Sequence, residues 1–435
     1  MKIAILGYGL QGESSYHYWN KDGNQLTVCD LNTSTTVPAG VETQLGESYL
    51  SNLDRFDLIV RTPVLYPEDI VKANQPDILD KVTTNTNEFF RVCPSKNIIG
   101  VTGTKGKGTT STLITKLLEA SGKTVHLGGN IGTPPLDLLK NGINPDDWVI
   151  LELANFQLID IHYSPHIAIC LMVSPEHLDW HPDTEDYYNA KTQLFRYQRS
   201  DDIAIYNSQN EISKRIAGSS DGRKIPYMAP PGSAVVDGKI MISNQTICET
   251  TELKLLGNHN WQNVCAAVTA VWQLSQDITS MKSVITNFHG LPFRLEFRRE
   301  VGGVRFYDDS FASAPPATIA AVEAIPEKKV MIIGGFDRGL DLTELAEELT
   351  KRSDSIRNVL IIGVSAPRLA GTLKDHGFTN FKVSESKDML SIVKEAREFS
   401  QPGDAVVLSP GFPSFDMFKN FEDRGQQFNS AVEAL

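Results

Sequence analysis

The stretch GVTGTKGKGTT (residues 100–110) decides the fold. It closes the apolar run NIIGVTG (97–103), which reads as a buried strand, and leads into TSTLITKLLEASG (110–122), whose apolar spacing reads as a helix. A strand, a glycine-rich turn and a helix in that order make a phosphate cradle. Glycines let backbone N–H groups close around phosphate, the helix N-terminus adds positive potential, and Lys107 meets the β- and γ-phosphates. Gly103, Thr104, Gly106, Lys107, Gly108, Thr109 and Thr110 are therefore candidate ATP-binding residues. The stretch departs from G-x-x-x-x-G-K-[ST] in two ways: its glycine spacing is one residue longer, and Gly108 stands where a hydroxyl normally ligands Mg²⁺. Thr109 supplies that hydroxyl one residue late.

Working outward, seven further runs read as buried parallel strands: KIAILG (2–7), DLIVRT (57–62), WVILEL (148–153), IAICLMV (167–173), VMIIGG (330–335), VLIIGV (359–364) and AVVLSP (405–410). Several end on glycine, proline or a charged residue, where α/β folds place their ligands. The fold class is α/β, with more strands than one sheet holds. Breaks near Val92 and within NFHGLPFRLE (287–296) divide the chain into three expected domains, 1–92, 93–290 and 291–435. APPGSAVVDGKIMIS (229–243) reads as a hairpin inserted in the middle domain, with Asp237-Gly238 as its turn.

The composition narrows the function. With 41 Lys+Arg against 53 Asp+Glu the formal charge is −12, a poor basis for non-specific nucleic-acid binding. Cys29, Cys93, Cys170, Cys248 and Cys265 are odd in number and scattered, without a C-x-x-C, so neither a disulfide framework nor a zinc ribbon is expected. MKIAILGYGLQG (1–12) lacks the features of a signal peptide, and no apolar run reaches the length of a membrane span. A soluble cytoplasmic protein is expected.

Three more features carry chemistry. Gly7-Tyr8-Gly9-Leu10-Gln11-Gly12 follows the first strand and fits G-x-G-x-x-G, with Asp30 about 20 residues on as a ribose-binding acid. Either NAD or another nucleotide satisfies that pattern, but a dehydrogenase has no need of a second, ATP-type loop. Glu152 ends a strand close in topology to the cradle, where a carboxylate holds the Mg²⁺ that bridges phosphate oxygens. His177 and His181 lie four apart in SPEHLDWHP, which invites a zinc reading; the motif is not H-E-x-x-H, and Pro182 breaks any helix beyond it.

Taken together, GVTGTKGKGTT, GNIGTP, ELANFQL, EHLDWH, YYNAK, GNHNWQN, GLPFRLE, YDDS and LSPGFPSFDMFKNFEDRG resemble the Mur ligases in order and spacing, over essentially the whole chain. The N-terminal glycine motif and SFDMFKNFEDRG resemble in particular the branch that joins D-glutamate to UDP-N-acetylmuramoyl-L-alanine in peptidoglycan biosynthesis. The resemblance implies a Rossmann-like UDP-sugar domain, a P-loop ATPase domain and a Rossmann-like amino-acid domain, in a monomer that uses ATP and Mg²⁺.

It also implies roles. Lys107, His177 and Lys191 would be catalytic, Lys191 as a carbamate formed with CO₂. Thr109, Glu152, His177 and Lys191 would hold metal; Asn260, Asn263, Arg294 and Asp309 would join the cradle residues around ATP. Gly9, Leu10, Gln11, Asp30, Asn130 and Gln157 would line the UDP-substrate site, and Arg338, Ser414 and Phe421 the glutamate site.

Departures from the family pattern concentrate on the amino-acid side. Phe311 replaces a lysine of D-S-K-A-T-N, Arg338 replaces the lysine of G-G-D-G-K, Ala154 and Asn155 replace paired serines, and Thr62-Pro63-Val64 stands for S-P-G. The K-G-T of the phosphate loop is similar to folylpolyglutamate synthases, and GTKGKGTT, EHLDWH and GGFDRGLD to a subclass that adds L-glutamate. Those two ligations, and a dehydrogenase or nucleotide sensor, are the alternatives.

Overall fold

Runs such as KIAIL, IIGVT, WVILE and IAIC leave no room for a solvent-facing side, because apolar and β-branched residues occupy both faces. Such segments are stable only as inner strands of a parallel sheet covered by helices. The computed structural model, which describes residues 1–255 and 257–435 and only the backbone of Asn258, builds three such sheets. Every residue of Ile98–Thr102, Trp148–Glu152 and Ile167–Cys170 is buried. The chain divides into two compact units, Met1–Glu252 with His259–Thr286, and Leu253–Asn258 with Asn287–Leu435.

The first unit opens with β1 (Lys2–Leu6), β2 (Gln25–Asp30), β3 (Glu42–Leu45), β4 (Leu58–Arg61) and β5 (Val82–Thr84), all parallel, in the order β3-β2-β1-β4-β5. The chain runs outward from β1 and returns to its other side at β4, so a crevice opens beyond the carboxyl ends of β1 and β4. A second parallel sheet follows, from β6 (Ile98–Thr102), β7 (Val125–Gly129), β8 (Trp148–Glu152), β9 (Ile167–Cys170), β10 (Ile203–Asn207) and β11 (Arg223–Tyr227), ordered β11-β10-β9-β6-β8-β7. Central β6 delivers the phosphate loop, flanked by the ends of β8 and β9.

The expected hairpin is present as β12 (Ala234–Val236) and β13 (Lys239–Ile242), antiparallel, with Asp237 and Gly238 at φ +48 and +75. Two positive φ values are what a two-residue hairpin turn with the strand twist requires. A third strand, β14 (Gln245–Glu249), extends it through a second such turn at Ser243-Asn244, which the sequence reading missed.

In the second unit, β15 (Glu296–Val301), β16 (Val304–Asp308), β17 (Lys329–Gly334), β18 (Ile356–Ile362), β19 (Phe381–Val383) and β20 (Ala405–Leu408) form a sheet ordered β15-β16-β20-β17-β18-β19, with only β15 antiparallel. The last strand in sequence, β20, lies between β16 and β17, gathering the loops after all three at one edge. Among the described residues no helix is long and apolar enough to cross a membrane.

Candidate active site

The cradle is built by two glycines. Gly103 and Gly106 hold φ of +148 and +87, which side chains with a Cβ rarely adopt. A Cβ on Gly106 would lie 2.2 Å from Asn263 Oδ1, so the loop closes against the helix Asn258–Trp272. Asn263 in turn donates Nδ2 to Asn260 Oδ1 (2.9 Å), which brings both predicted asparagines to the loop. Gly106 caps the 14-residue helix Lys107–Ala120 without any side-chain cap, leaving its first N–H groups to a ligand.

Thr104 is held through both its backbone and its hydroxyl. Its N–H donates to Met172 O (2.9 Å), and its hydroxyl is shared among Ser174 O, Ser174 N and the Tyr187 hydroxyl at 2.8–3.0 Å. It braces the loop. Thr109 is half-buried in the first helical turn, and the Thr110 hydroxyl is buried with no partner among the described residues.

Two lysines meet here. Lys107 Nζ donates to Gly103 O and Thr104 O, both at 3.0 Å, and Lys191 Nζ donates to the same Gly103 O at 3.2 Å. Lys191 is fully buried on the helix Thr184–Arg196, with Nζ 4.3 Å from the centre of the Tyr187 ring. Burial, and secondarily the Lys107 cation, pull its amine down from 10.5 to about 7. Two amines on one carbonyl repel each other as cations, which favours the neutral form of the buried Lys191.

Beside the loop, the register pairs Val101 of β6 with Glu152 of β8, and Glu152 with Gly129 of β7. Glu152 is buried. Its Oε1 accepts from Asn130 Nδ2 (3.0 Å). A Cβ on Gly129 would lie 2.2 Å from Glu152 O, so only glycine lets Asn130 approach. His177 stands at φ +59 with its ring 4.8 Å from Phe156; burial holds its imidazole below the ordinary value, in the neutral form a metal takes.

No group of three or more His, Cys, Asp or Glu side chains gathers into a metal cage among the described residues. Mg²⁺ does not need one, since it takes one or two carboxylates plus phosphate and water. A buried strand-end carboxylate such as Glu152 suits that demand. His181 is not a second ligand, because both ring nitrogens are occupied by Asp186 and Asn155.

The N-terminal glycine loop is equally tight. A Cβ on Gly12 would lie 2.0 Å from Gly7 O, and Gly9 starts the helix Leu10–Trp19 with no side-chain cap, leaving Leu10 exposed. Asp30 is not idle: Oδ2 accepts from Tyr8 N (2.7 Å) and Oδ1 from Asn32 N (2.8 Å), so it shapes the loop. Gln157 accepts from Ala154 N through Oε1, while its buried Nε2 has no partner among the described residues.

In the second unit the loop after β16 carries Asp309, which accepts from Ser409 Oγ (2.7 Å) and Leu295 N (3.0 Å). Burial pushes Asp309 up to about 7 and its neighbour Asp308 to about 6. The Arg294 guanidinium lies 3.7 Å from the Phe311 ring centre, and Phe311 meets Phe421 edge-on at 5.0 Å. Ser414 is buried, and Arg338 is exposed without an ion pair among the described residues. Arg424, missed from sequence, is the brace: fully enclosed, it donates to Ser310 Oγ, Ser310 O and Phe412 O at 2.8–3.0 Å. Its place in KNFEDRG, between an acidic pair and a glycine, reads as an exposed helical charge, which concealed it.

Over residues 101–271 the chain matches the Mur ligase middle domain, and over 293–412 the Mur ligase, glutamate ligase domain. The UDP-N-acetylmuramoylalanine–D-glutamate ligase of Clostridium tetani is 34% identical across 100% of this chain and 97% of its own. That of Clostridium acetobutylicum is 35% identical across 100% and 96%. The MurF ligase from Thermotoga maritima in complex with ADP shares the fold, with a TM-score of 0.61 at 18% identity, covering 99% of this chain and 94% of that one.

Proposed function

The chain belongs to the Mur ligase family, and we propose that it joins D-glutamate to UDP-N-acetylmuramoyl-L-alanine at the expense of ATP, in the cytoplasm, as a step of peptidoglycan biosynthesis. The observation that carries this reading is the meeting of Lys107 and Lys191 on Gly103 O, inside a strand–loop–helix cradle. The Lys107 cation at the start of the helix fits a site whose occupant is a polyanion, and the buried Lys191 amine beside it fits one that reacts with CO₂.

The chemistry follows from the weakness of a carboxylate as an electrophile. An oxygen of the alanyl carboxylate attacks the γ-phosphorus, the bond to the β-phosphate oxygen breaks, and ADP leaves. The glutamate amine then attacks the acyl carbon, loses a proton, and phosphate departs from the tetrahedral intermediate. Lys107 and the helix N-terminus offset the charge gathered when two anions meet. Glu152, His177 and Thr109 would hold Mg²⁺, which would supply further charge neutralisation on the phosphates. Lys191, in its neutral form, adds CO₂ through Nζ and releases a proton, which turns a cation of the wrong sign for a metal neighbour into an anion.

On the substrate side, the uncapped helix start at Gly9–Leu10 and Gln11 receives the diphosphate of the UDP-sugar, with Asn130 and Gln157 toward its acyl end. Asn260, Asn263, Arg294 and Asp309 serve ATP. Arg338, Ser414 and Phe421 receive glutamate, Arg338 by a planar grip on a carboxylate. The test is release of phosphate from ATP with the purified protein. Release should require the UDP-sugar and D-glutamate together, and kcat/KM should favour D- over L-glutamate. Turnover with either partner alone, or with L-glutamate preferred, refutes the corresponding part.

A further inference from the structure

A chain of side-chain hydrogen bonds, buried at His181 and Asn155 and partly exposed at Asp186, lies beside this site and is not used by the chemistry above. Asp186 Oδ2 lies 2.6 Å from His181 Nδ1, and His181 Nε2 lies 2.7 Å from Asn155 Nδ2. The His181 side chain is wholly enclosed, and Asn155 is 3% exposed. A carboxylate only accepts, so Nδ1 carries the proton; in the neutral ring Nε2 then accepts, and the Asn155 amide must turn its Nδ2 toward it.

Both ends of this chain lead to His177. The backbone N–H groups of His181 (2.9 Å) and Trp180 (3.1 Å) donate to His177 O, closing the turn in which His177 holds φ +59. A residue with a Cβ keeps that conformation only where its surroundings impose it. On the other side, Asn155 opens the one-turn helix Asn155–Leu158, and its neighbour Phe156 packs its ring on His177 and Trp180, each at 4.8 Å. Fixing the His181 ring therefore fixes His177 through the backbone of the turn and through the Phe156 ring.

The chain is also anchored to the loop after β4. Tyr66 donates its hydroxyl to the same Asp186 Oδ2 (3.1 Å), Trp180 Nε1 donates to Val64 O (2.9 Å), and Arg61 Nη2 donates to Phe156 O (3.1 Å). Thr62 of this loop lies against Gly7 of the N-terminal glycine loop. We propose that Asp186, His181 and Asn155 form a positioning relay that holds His177 in register for phosphoryl transfer and ties it to the 61–66 loop beside the UDP-sugar site. This rests on the ligase reading. His181 is a positioning residue, acting through Asn155 and the 177–181 turn.

Two substitutions separate the links. His181→Gln keeps an acceptor where Nε2 meets Asn155, and His181→Asn keeps only a donor where Nδ1 meets Asp186. The relay predicts kcat for His181→Gln within about threefold of the unsubstituted enzyme and about tenfold lower for His181→Asn, with KM for ATP within about twofold in both. Equal kcat in the two variants, or a loss carried by KM for ATP, overturns it. Should neither variant fold, the tautomer in the intact protein decides: long-range ¹H–¹⁵N correlation should find His181 protonated on Nδ1 and bare on Nε2, and a proton on Nε2 refutes the relay. Absence of ligation by the unsubstituted protein would instead refute the ligase reading, leaving the tautomer result to stand on its own.

Discussion

Lys191 gives the sharpest test of the chemistry, because its environment predicts a magnitude as well as a direction. Burial and the Lys107 cation lower its amine from 10.5 to about 7. At pH 7 about half of such amines are neutral, against roughly 3 in 10,000 for an ordinary lysine, which is about a thousandfold more of the form that attacks CO₂. For a base with a depressed value the neutral fraction grows as pH rises through it. Between pH 6 and pH 8 that fraction climbs about tenfold. At fixed dissolved CO₂, carbamate formation should therefore rise steeply across this window and flatten above it. The assay is phosphate release in CO₂-depleted and CO₂-supplied buffer, beside ¹³C spectra of protein equilibrated with ¹³CO₂. One carbamate resonance should appear in the unsubstituted enzyme and vanish in Lys191→Ala. That variant should lose about a hundredfold or more in kcat, the scale of a dedicated electrostatic contact, with acetate or formate restoring part of it. Full activity of Lys191→Ala in CO₂-free buffer, or no resonance at pH 8, would refute the reasoning.

Lys107→Ala should cost about 3 kcal/mol in transition-state stabilisation, read as a fall of about a hundredfold in kcat/KM for ATP. Asp309 is raised from 3.8 to about 7 in the fold, so the folded state holds a proton the unfolded state has lost between those values. Stability from this group is complete below about pH 4 and lost as pH rises through 7; Asp309→Asn should therefore be the more stable by about 2–4 kcal/mol in urea at pH 8, a gap that closes toward pH 4. Arg61 is wholly buried and grips both oxygens of Asp160 at 2.6–2.7 Å as well as Leu65 O at 2.7 Å. Arg61→Ala should lower stability by about 3 kcal/mol, measured by thermal or urea unfolding, because it leaves Asp160 and four carbonyls without their donor.

The reading of GVTGTKGKGTT as a cradle, of the apolar runs as inner strands and of Asp237-Gly238 as a hairpin turn needed nothing beyond the sequence. Each of those signals is set by a few neighbouring residues: a glycine is required where φ is positive, and a continuous apolar run has no solvent face to offer. The positions of Glu152 at a strand end and of Lys107 at a helix start were legible for the same reason. Their partners were not. That Asn263 closes on Gly106, that Lys191 reaches the carbonyl held by Lys107, and that Arg424 braces two loops depend on contacts between distant segments. Strand order decides those contacts: β8 lies beside β6 with Glu152 against Val101, and β20 inserts between β16 and β17. Apolar runs that are alike in composition carry no label for their neighbour, so order and register come only from the packing of the whole unit. The same packing turned His181 from an apparent metal ligand into the centre of a hydrogen-bonded chain, since only the fold places Asp186 and Asn155 on its two nitrogens.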